Sequence, residues 1–348
     1  MAMTPPASDG TPADGIRVLT AFTPLDSPAR VDRPRSEPLR IALVQHAWDP
    51  DTQALRSWLD AAVDAATAAG ARIVFLPEIT LSRYPADAVP TGVASDQAEE
   101  LETGATLDFA ISAARRNGVY VHASLYRASE PDSGERDGLG LNTAIIASPS
   151  GEVVARTNKL HIPVTAGYYE DKYFRPGPAT DPYPVYTLDG LAGARIGLPT
   201  CWDEWFPEVA RAYSLHGANI VVYPTAIGSE PDHPDFDTRP LWQQVIVGNG
   251  IANGLFMVVP NRTGQETRPD GTPGNIFYGS SFVSDPYGRI LIQASRDEPC
   301  VLVTDLDLGQ REDWLTLFPF LSTRRPDTYG ILTRPVDPAS PFGSAGSR

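Results

Sequence analysis

Three reactive side chains each follow a short segment typical of a buried strand. Glu78 follows Ile-Val-Phe-Leu-Pro, Lys159 follows Ala-Arg-Thr-Asn, and Cys201 follows Ile-Gly-Leu-Pro-Thr. A thiol is weakly ionised at neutral pH, so a nearby base and a nearby cation would activate it for attack on a carbonyl carbon. Glu78 is the candidate base, Lys159 the candidate oxyanion-stabilising cation and Cys201 the candidate nucleophile, with the N–H of Trp202 completing the oxyanion site.

The sequence around Cys201 predicts a strand, a sharp turn and a helix. An apolar segment, Ile196–Leu198, stops at a proline, and Pro207 followed by Glu208 suits the first turn of a helix. Taken singly, each reactive residue also has a structural alternative. Free cysteines are often small core residues, and a charged residue at a strand end is often solvated.

Composition narrows the class of protein. The chain has 348 residues and a formal net charge of −15, which argues against nucleic acid and anionic membranes as partners and is compatible with a cationic small substrate. Its two cysteines, Cys201 and Cys300, do not make a disulfide scaffold, and no secretory signal opens the chain, so we expect a cytoplasmic protein. Five histidines without metal-ligand spacing predict no metal site.

The order of apolar segments predicts one domain with two sheets and helices outside. Residues 1–38 are rich in Pro, Ser, Asp and Ala and are predicted to be a disordered leader. Residues 39–322 form the predicted domain, with helices over about 51–69 and 95–117 among its elements, and 323–348 form a tail on the surface or against a second subunit.

Three segments resemble the signature segments of the carbon–nitrogen hydrolase (nitrilase) superfamily and occur in that family's order. They are Phe75–Glu78, Asn158–Pro163 and Pro199–Glu208. The resemblance covers about 39–331. It implies an α/β fold, a four-layer α-β-β-α sandwich of two mixed sheets with helices outside, and subunits that pair into a homodimer or a higher homo-oligomer.

The same resemblance implies roles for single residues. Glu78 would be the general base, Lys159 the cation at the oxyanion and Cys201 the nucleophile of a thioester-type acyl-enzyme. A second glutamate in the loop after the lysine is also implied, and Tyr168-Tyr-Glu-Asp-Lys-Tyr-Phe174 places it at Glu170. No metal ion or organic cofactor is implied.

Within the superfamily, several segments look most like the N-carbamoylputrescine amidase branch. These segments are Gly167–Glu170, Cys201–Glu208, Ala226–Pro231, Asn261–Gly264 and Phe277–Phe282. Two segments depart from the branch. Pro199-Thr200 differs just before the cysteine, and His233–Asp237 need not contact the amine of the same substrate. The resemblance therefore indicates a branch without fixing the substrate.

Acidic and aromatic side chains near the nucleophile predict a cationic or neutral substrate. Relatives that hydrolyse N-carbamoyl amino acids carry an arginine shortly after the nucleophile, whereas this chain has acids and a tryptophan there. An acidic rim attracts an ammonium and repels a carboxylate. The predicted substrate-binding residues are Trp202, Asp203, Glu204, Trp205, Tyr84, Glu230 and Asn261. The alternative is that the acids are N-caps or solvated loop residues and that the aromatic residues belong to the core.

The predicted activity is hydrolysis of a non-peptide C–N bond in a small amide or ureido compound. An N-carbamoyl-amine, of the N-carbamoylputrescine type, is the favoured substrate. An aliphatic amidase or a nitrilase of other specificity is the first alternative, and a catalytically silent ligand-binding protein is the second. Release of amine, ammonia and carbon dioxide would separate ureido hydrolysis from simple amide cleavage.

Overall fold

The fold is a sandwich of two sheets with helices on both outer faces. The computed structural model describes residues 8–10, 15–31, 37–130 and 137–343. The strands described there, in chain order, are β1 (Ser8–Gly10), β2 (Val18–Ala21), β3 (Leu39–Gln45), β4 (Ile73–Phe75), β5 (Tyr120–Arg127), β6 (Leu141–Ala147), β7 (Val153–Asn158), β8 (Val185–Thr187), β9 (Arg195–Gly197), β10 (Ile220–Val222), β11 (Phe256–Val259), β12 (Thr263–Thr267), β13 (Pro273–Tyr278), β14 (Phe282–Ser284), β15 (Ile290–Gln293) and β16 (Cys300–Leu306). The α-helices of the same residues are α1 (Thr52–Ala68), α2 (Ala105–Asn117), α3 (Pro207–Leu215), α4 (Arg239–Asn253) and α5 (Gln310–Leu317).

Both main sheets are mixed. Within the described residues, the first sheet has the order β1-β2-β16-β3-β4-β5-β6-β7, and the second has the order β15-β14-β11-β10-β9-β8. Strands β12 and β13 form a separate antiparallel hairpin. Parallel pairs lie at the centre of each sheet, β3-β4-β5 in the first and β9-β10-β11 in the second.

Three apolar layers hold the sandwich together. The middle layer lies between the sheets and joins Phe75 of β4 to Ile220 of β10 and Val258 of β11. One outer layer packs α1 and α2 on the first sheet, and the other packs α3 and α4 on the second. Because each sheet is covered on both faces, central strands such as β4 and β11 are apolar on both faces rather than alternating. The four-layer α-β-β-α arrangement predicted from the sequence is confirmed.

Strand directions bring the ends of β4, β6 and β7 together. β4 is parallel to β5, β5 is antiparallel to β6, and β6 is antiparallel to β7. β4 and β7 therefore run in the same direction, and their carboxyl ends lie at the edge where β6 begins. Glu78 follows β4, Lys159 follows β7 and Asn142 stands second in β6.

The structure differs from the predicted disordered leader at residues 15–31. Val18–Ala21 forms β2, which pairs in parallel with β16, and Ile16, Val18 and Leu19 are buried. The short apolar segment can bury its side chains only because β16, from the other end of the chain, presents an unpaired edge to it. The rest of the predicted leader includes 1–7, 11–14 and 32–36, which lie outside the described residues.

The second predicted helix begins later than the sequence suggests. Residues 94–97 form a single 3-10 turn, and α2 starts after Gly104. A Cβ at Gly104 would lie 2.6 Å from the carbonyl oxygen of Glu100, so the chain turns sharply there. The Glu99 carboxylate accepts from the Thr106 N–H at 2.8 Å, which satisfies a free donor of the first helical turn.

Candidate active site

A buried ammonium lies between two buried carboxylates at the edge formed by β4 and β7. Lys159 Nζ donates to Glu78 Oε1 at 3.0 Å and to Glu170 Oε2 at 2.6 Å. All three residues are at most 1% exposed. With the groups ionised, the cluster carries one excess negative charge in a place that water does not reach, which favours the uptake of a proton.

The pKa values of the cluster follow from burial and charge. Burial raises the pKa of Glu170 to about 7 even though the Lys159 ammonium opposes the shift, and the nearby Glu78 carboxylate raises it further. Burial lowers the pKa of Lys159, but the two carboxylates more than compensate and hold it well above its ordinary value. Lys159 is therefore a permanent cation at neutral pH.

Hydrogen bonds from three other groups fix the two carboxylates. Glu78 Oε1 accepts from Asn142 Nδ2 at 2.7 Å, and Glu78 Oε2 accepts from the Ala226 N–H at 2.9 Å. Glu170 Oε1 accepts from the Tyr84 hydroxyl at 2.8 Å. Tyr84, predicted to bind substrate, is 1% exposed and its hydroxyl holds Glu170.

Cys201 comes from the second sheet and stands on a sharp turn. After β9 the chain passes through the 3-10 turn Cys201–Trp205 into α3, which begins at Pro207, so the predicted strand, turn and helix are all present. Cys201 has φ of 42°, in the left-handed region that L-residues other than glycine seldom occupy. Its N–H donates to the Pro224 carbonyl at 3.0 Å, which helps to hold this strained backbone.

The thiol of Cys201 lies within the field of the charged cluster. Burial raises its pKa well above the ordinary value, the Glu78 carboxylate raises it further, and the Lys159 ammonium opposes both. The side chain is 6% exposed. The structure thus brings Glu78, Lys159, Glu170 and Cys201 into one electrostatically coupled site, with a thiol that stays protonated at neutral pH unless a base takes the proton.

Asp203 ties the lysine segment to the cysteine turn. Its carboxylate accepts from the Thr200 N–H at 3.0 Å, from the Leu160 N–H at 3.4 Å and from the His161 N–H at 2.9 Å, and it also contacts His161 Nδ1 at 2.7 Å. The residue is 0% exposed. Asp203 was predicted to bind substrate, but both of its carboxylate oxygens already accept hydrogen bonds from the protein. In the structure Asp203 connects the segment after Lys159 to the turn that carries Cys201.

The other predicted residues of this turn differ in exposure. Trp202 and Trp205 are half-buried, with ring centroids 6.2 Å apart. Glu204 is 0% exposed, and the nearby indole N–H of Trp242 partly offsets the effect of burial on the pKa of its carboxyl group. Burial raises the pKa of Glu204 well above its ordinary value, which favours a neutral carboxylic acid at this position. A neutral, buried Glu204 is poorly suited to bind a cationic substrate through an ion pair.

Glu230 is the half-buried acid of the loop between β10 and α4. Burial raises its pKa, and its negative charge in turn raises the pKa values of Tyr168 and Tyr278 after the dominant effect of their own burial. A thiolate at Cys201 would also raise the pKa of Tyr168, so this tyrosine lies near both Glu230 and the candidate nucleophile. Asp232 and Asp235, from the same loop, are exposed.

Asn261, also predicted to bind substrate, is fully engaged with the main chain. Its Oδ1 accepts from the Ile227 N–H at 3.1 Å, and its Nδ2 donates to the carbonyls of Ile227 and Gly279 at 3.1 and 3.0 Å. Sequence reasoning missed Asn142, whose only signal was a polar residue at the start of the apolar segment that forms β6.

Neither a metal site nor a membrane span emerges from the described ranges. No group of three or more His, Cys, Asp or Glu side chains in them is arranged to hold a metal ion. None of the helices in those ranges combines the length and the apolar composition needed to cross a bilayer.

Comparison with known proteins gives matches over most of the chain. The profile of the carbon–nitrogen hydrolase family matches residues 40–315. A citrullinase from Francisella tularensis subsp. tularensis is 30% identical over 297 residues, which is 85% of this chain and 98% of the relative. An N-carbamoylputrescine amidase from Arabidopsis thaliana is 32% identical over 294 residues, covering 84% and 94% of the two chains.

Solved structures agree with the sequence matches. A carbon–nitrogen hydrolase from Helicobacter pylori G27 superposes with a TM-score of 0.74 at 29% identity, covering 86% of this chain and 99% of the other. The profile match covers well over half of the chain and includes the segments that carry Glu78, Lys159 and Cys201. This chain therefore belongs to the carbon–nitrogen hydrolase family.

Proposed function

We propose that the chain is a cysteine-dependent amidohydrolase that cleaves an N-carbamoyl-amine through a thioester-type acyl-enzyme. The observation that carries this proposal is the buried Glu78–Lys159–Glu170 cluster, whose charges all act on the thiol of Cys201. A structural ion cluster would not require a strained cysteine beside it. A nucleophile needs both a base and an oxyanion partner, and this cluster supplies them.

In the first step Glu78 takes the Cys201 proton, and the sulfur attacks the carbonyl carbon of the ureido or amide group. The C=O bond opens to an oxyanion, which the Lys159 ammonium and the Trp202 N–H stabilise. At the start of the 3-10 segment the Cys201 N–H donates to the Pro224 carbonyl and the Asp203 N–H to the Thr200 carbonyl, so the Trp202 N–H between them is the candidate for this task. Glu78 then returns its proton to the departing nitrogen, the C–N bond breaks and the thioester remains.

In the second step a water molecule replaces the departed nitrogen. Glu78 takes one of its protons, the hydroxide adds to the thioester carbon, and the C–S bond breaks as the proton returns to the sulfur of Cys201. For a ureido substrate the product is a carbamic acid, which loses carbon dioxide. One water and one ureido compound thus give one amine, one ammonia and one carbon dioxide. Glu170 keeps Lys159 in place through both steps.

The substrate that fits best carries a ureido group and an ammonium. Glu230, half-buried beside Tyr168 and Tyr278, would bind the ammonium, while Trp202 and Trp205 would line the path of the alkyl chain. The named relatives support this class, since one is an N-carbamoylputrescine amidase and the other a citrullinase. Citrulline shares the ureido and ammonium groups but adds a carboxylate.

A substrate panel tests the proposal. Ammonia and amine release would be measured with N-carbamoylputrescine, citrulline, an N-carbamoyl amino acid without an amine, an aliphatic amide and a nitrile. We expect the ureido-amine to have the highest kcat/KM. Fastest turnover of the amide or the nitrile would favour the alternative amidase or nitrilase activity, and no turnover on any substrate would favour the silent homologue.

Two variant pairs separate the residues concerned. Cys201→Ala should abolish turnover and iodoacetamide labelling, whereas Cys300→Ala, at the other buried cysteine, should retain both. Glu230→Gln should raise KM for the cationic substrate about tenfold and leave an uncharged amide unchanged, whereas exposed Asp232→Asn should change neither. An active Cys201→Ala enzyme would contradict the proposal. The paired-subunit assembly and the cytoplasmic location remain predictions, the first measurable by light scattering.

A further inference from the structure

We infer that Asn261 and Arg262 form a positioning pair that sets the Glu78 carboxylate for proton transfer. The inference rests on the proposed role of Glu78 as the base. Neither side chain is in the Glu78–Lys159–Glu170 cluster, but together they hold the backbone of Glu78 and the donor that meets its carboxylate. Both residues are 0% exposed.

Arg262 holds the main chain on the carboxyl side of Glu78. Its Nε donates to the Glu78 carbonyl at 3.0 Å, and its Nη2 donates to the carbonyls of Ile79 and, at 2.6 Å, Ser82. A single guanidinium therefore binds three carbonyls of one tight loop. A planar fork of fixed donors can do this, whereas the single point charge of a lysine cannot.

The loop that Arg262 grips is in a conformation that needs such support. Ile79 has φ of 49°, in the left-handed region, and for a β-branched residue this is a true outlier. Strain of this kind persists only where the surroundings over-determine the backbone. The Ile79 N–H donates to Ser124 Oγ at 3.1 Å, and Arg262 secures the carbonyl side. The turn immediately after the base is thus held from both sides.

Glu266 anchors Arg262 and extends its reach to the second glutamate of the site. Its Oε1 accepts from Arg262 Nη1, and its Oε2 accepts from the Tyr84 N–H at 2.8 Å. Tyr84 in turn donates its hydroxyl to Glu170 at 2.8 Å. Arg262, just before β12, thus holds the main chain of Glu78, and Glu266 of β12 acts through Tyr84 on the Glu170 carboxylate.

Asn261 acts on the other side of Glu78. By binding both the N–H and the carbonyl of Ile227, it fixes the loop in which Ala226 donates its N–H to Glu78 Oε2 at 2.9 Å. Asn261 thus orients one carboxylate oxygen, while Arg262 places the Cα from which the carboxylate extends. Both placements are needed because displacement by about 1 Å at a reacting group can lower a rate roughly 100-fold.

Four variants test the inference. Arg262→Lys and Asn261→Ser should each lower kcat about 10- to 100-fold with KM within about threefold of the wild-type value. Two matched controls lie outside the proposed pair. Arg268 lies just after β12, as Arg262 lies just before it, and pairs with Asp87. Asn219 is a buried asparagine that binds backbone groups at the amino ends of β9 and β10, away from Cys201. Arg268→Lys and Asn219→Ser should change kcat less than about twofold, even if they lower Tm by as much as Arg262→Lys and Asn261→Ser do.

The pH dependence of Cys201 alkylation by iodoacetamide separates a positioning role from a loss of stability, because destabilisation alone would not change that pH dependence. At neutral pH both positioning variants should react about 10-fold or more slowly than wild type, because the base no longer meets the thiol. At high pH, where the thiol ionises without help, all rates should converge. A ratio of variant to wild-type alkylation rate that is the same at every pH would overturn the inference. So would a kcat within about twofold of wild type in both folded variants.

Glu78→Gln separates this inference from the proposed function. If Glu78→Gln is inactive while Arg262→Lys and Asn261→Ser are fully active, the positioning pair is wrong and the base stands. If Glu78→Gln keeps wild-type turnover, the proposed function itself fails, whatever the other variants do. If one positioning variant does not fold, the other carries the test, because Asn261 and Arg262 hold different segments.

Discussion

The charge balance of the buried cluster predicts the effect of replacing Lys159 by methionine. Lys159 Nζ lies 3.0 Å from Glu78 Oε1 and 2.6 Å from Glu170 Oε2, without solvent contact. At an effective dielectric constant of about 20, unit charges about 3 Å apart interact by roughly 5 kcal/mol. Removing one partner of a buried pair leaves a net loss of about 3–5 kcal/mol, so we expect Lys159→Met to lower the free energy of unfolding by that amount at about pH 8.

The loss should shrink as the pH falls. Without the ammonium, the Glu78 and Glu170 carboxylates repel each other, and protonation of Glu170 relieves the repulsion. We therefore expect the destabilisation at about pH 5.5 to be smaller than at about pH 8 by at least roughly 1 kcal/mol. Urea unfolding, followed in parallel by tryptophan fluorescence and circular dichroism, measures both values and tests for two-state behaviour.

Two further variants complete the experiment. Lys159→Met/Glu170→Gln removes the ammonium and one carboxylate together, so it should regain about 2 kcal/mol while remaining inactive. Lys172→Met removes an exposed ammonium that pairs with Asp171, and it should change stability by less than about 0.5 kcal/mol. Equal destabilisation of Lys159→Met at both pH values, or a double variant no more stable than the single one, would refute the charge-balance reasoning.

Three other predictions concern single side chains of the site. Because the pKa of Glu170 is raised to about 7, the folded chain binds more protons at this residue than the unfolded chain does. The protonated Glu170 therefore contributes roughly 3 kcal/mol of stability, which is full below about pH 4.5 and is lost as the pH rises through about 7. In Glu170→Gln, the free energy of unfolding in urea should consequently vary less with pH than in wild type. Asn142→Ala removes a hydrogen bond to a charged group, worth about 1.5–3 kcal/mol, and should lower kcat about 10- to 100-fold at unchanged KM in steady-state assays; an unchanged kcat would contradict the role of Asn142. Asp203→Asn should lower the free energy of unfolding by about 1–3 kcal/mol in urea titrations, whereas exposed Asp235→Asn should stay within about 0.5 kcal/mol, and equal losses would contradict the linking role of Asp203.

Local sequence signals were sufficient where the determining interactions are themselves local. The apolar segments that became β3, β6 and β9 were recognisable because both faces of each sheet are covered. Asp51 caps α1 through hydrogen bonds to the N–H groups of Gln53 and Ala54, contacts that span only three residues. The strand, turn and helix around Cys201 could likewise be predicted from the proline positions.

The partners of the polar side chains were not predictable from the sequence. Asp203 and Asn261 carry functional groups suited to a substrate, and nothing in their neighbourhood in sequence shows that backbone groups of Leu160 and Ile227 already occupy them. Those partners lie tens of residues away: Leu160 meets Asp203 only when the two sheets pack, and Ile227 meets Asn261 only when β10 and β11 pair. The same reason explains why β2 was mistaken for part of a disordered leader, since the strand it pairs with is near the other end of the chain.

The amino-acid sequence was enough to predict the candidate reactive residues, because a carboxylate, an ammonium and a thiol at three strand ends, within family segments, are the groups that the proposed chemistry needs. How these residues are held became visible only in the folded chain. The order of strands in the first sheet brings Asn142 to Glu78, and the connection from β11 to β12 brings Arg262 to the main-chain carbonyl of the same residue. A residue's own chemistry belongs to the chain, but the distances between residues arise only when strands far apart in sequence pair and pack.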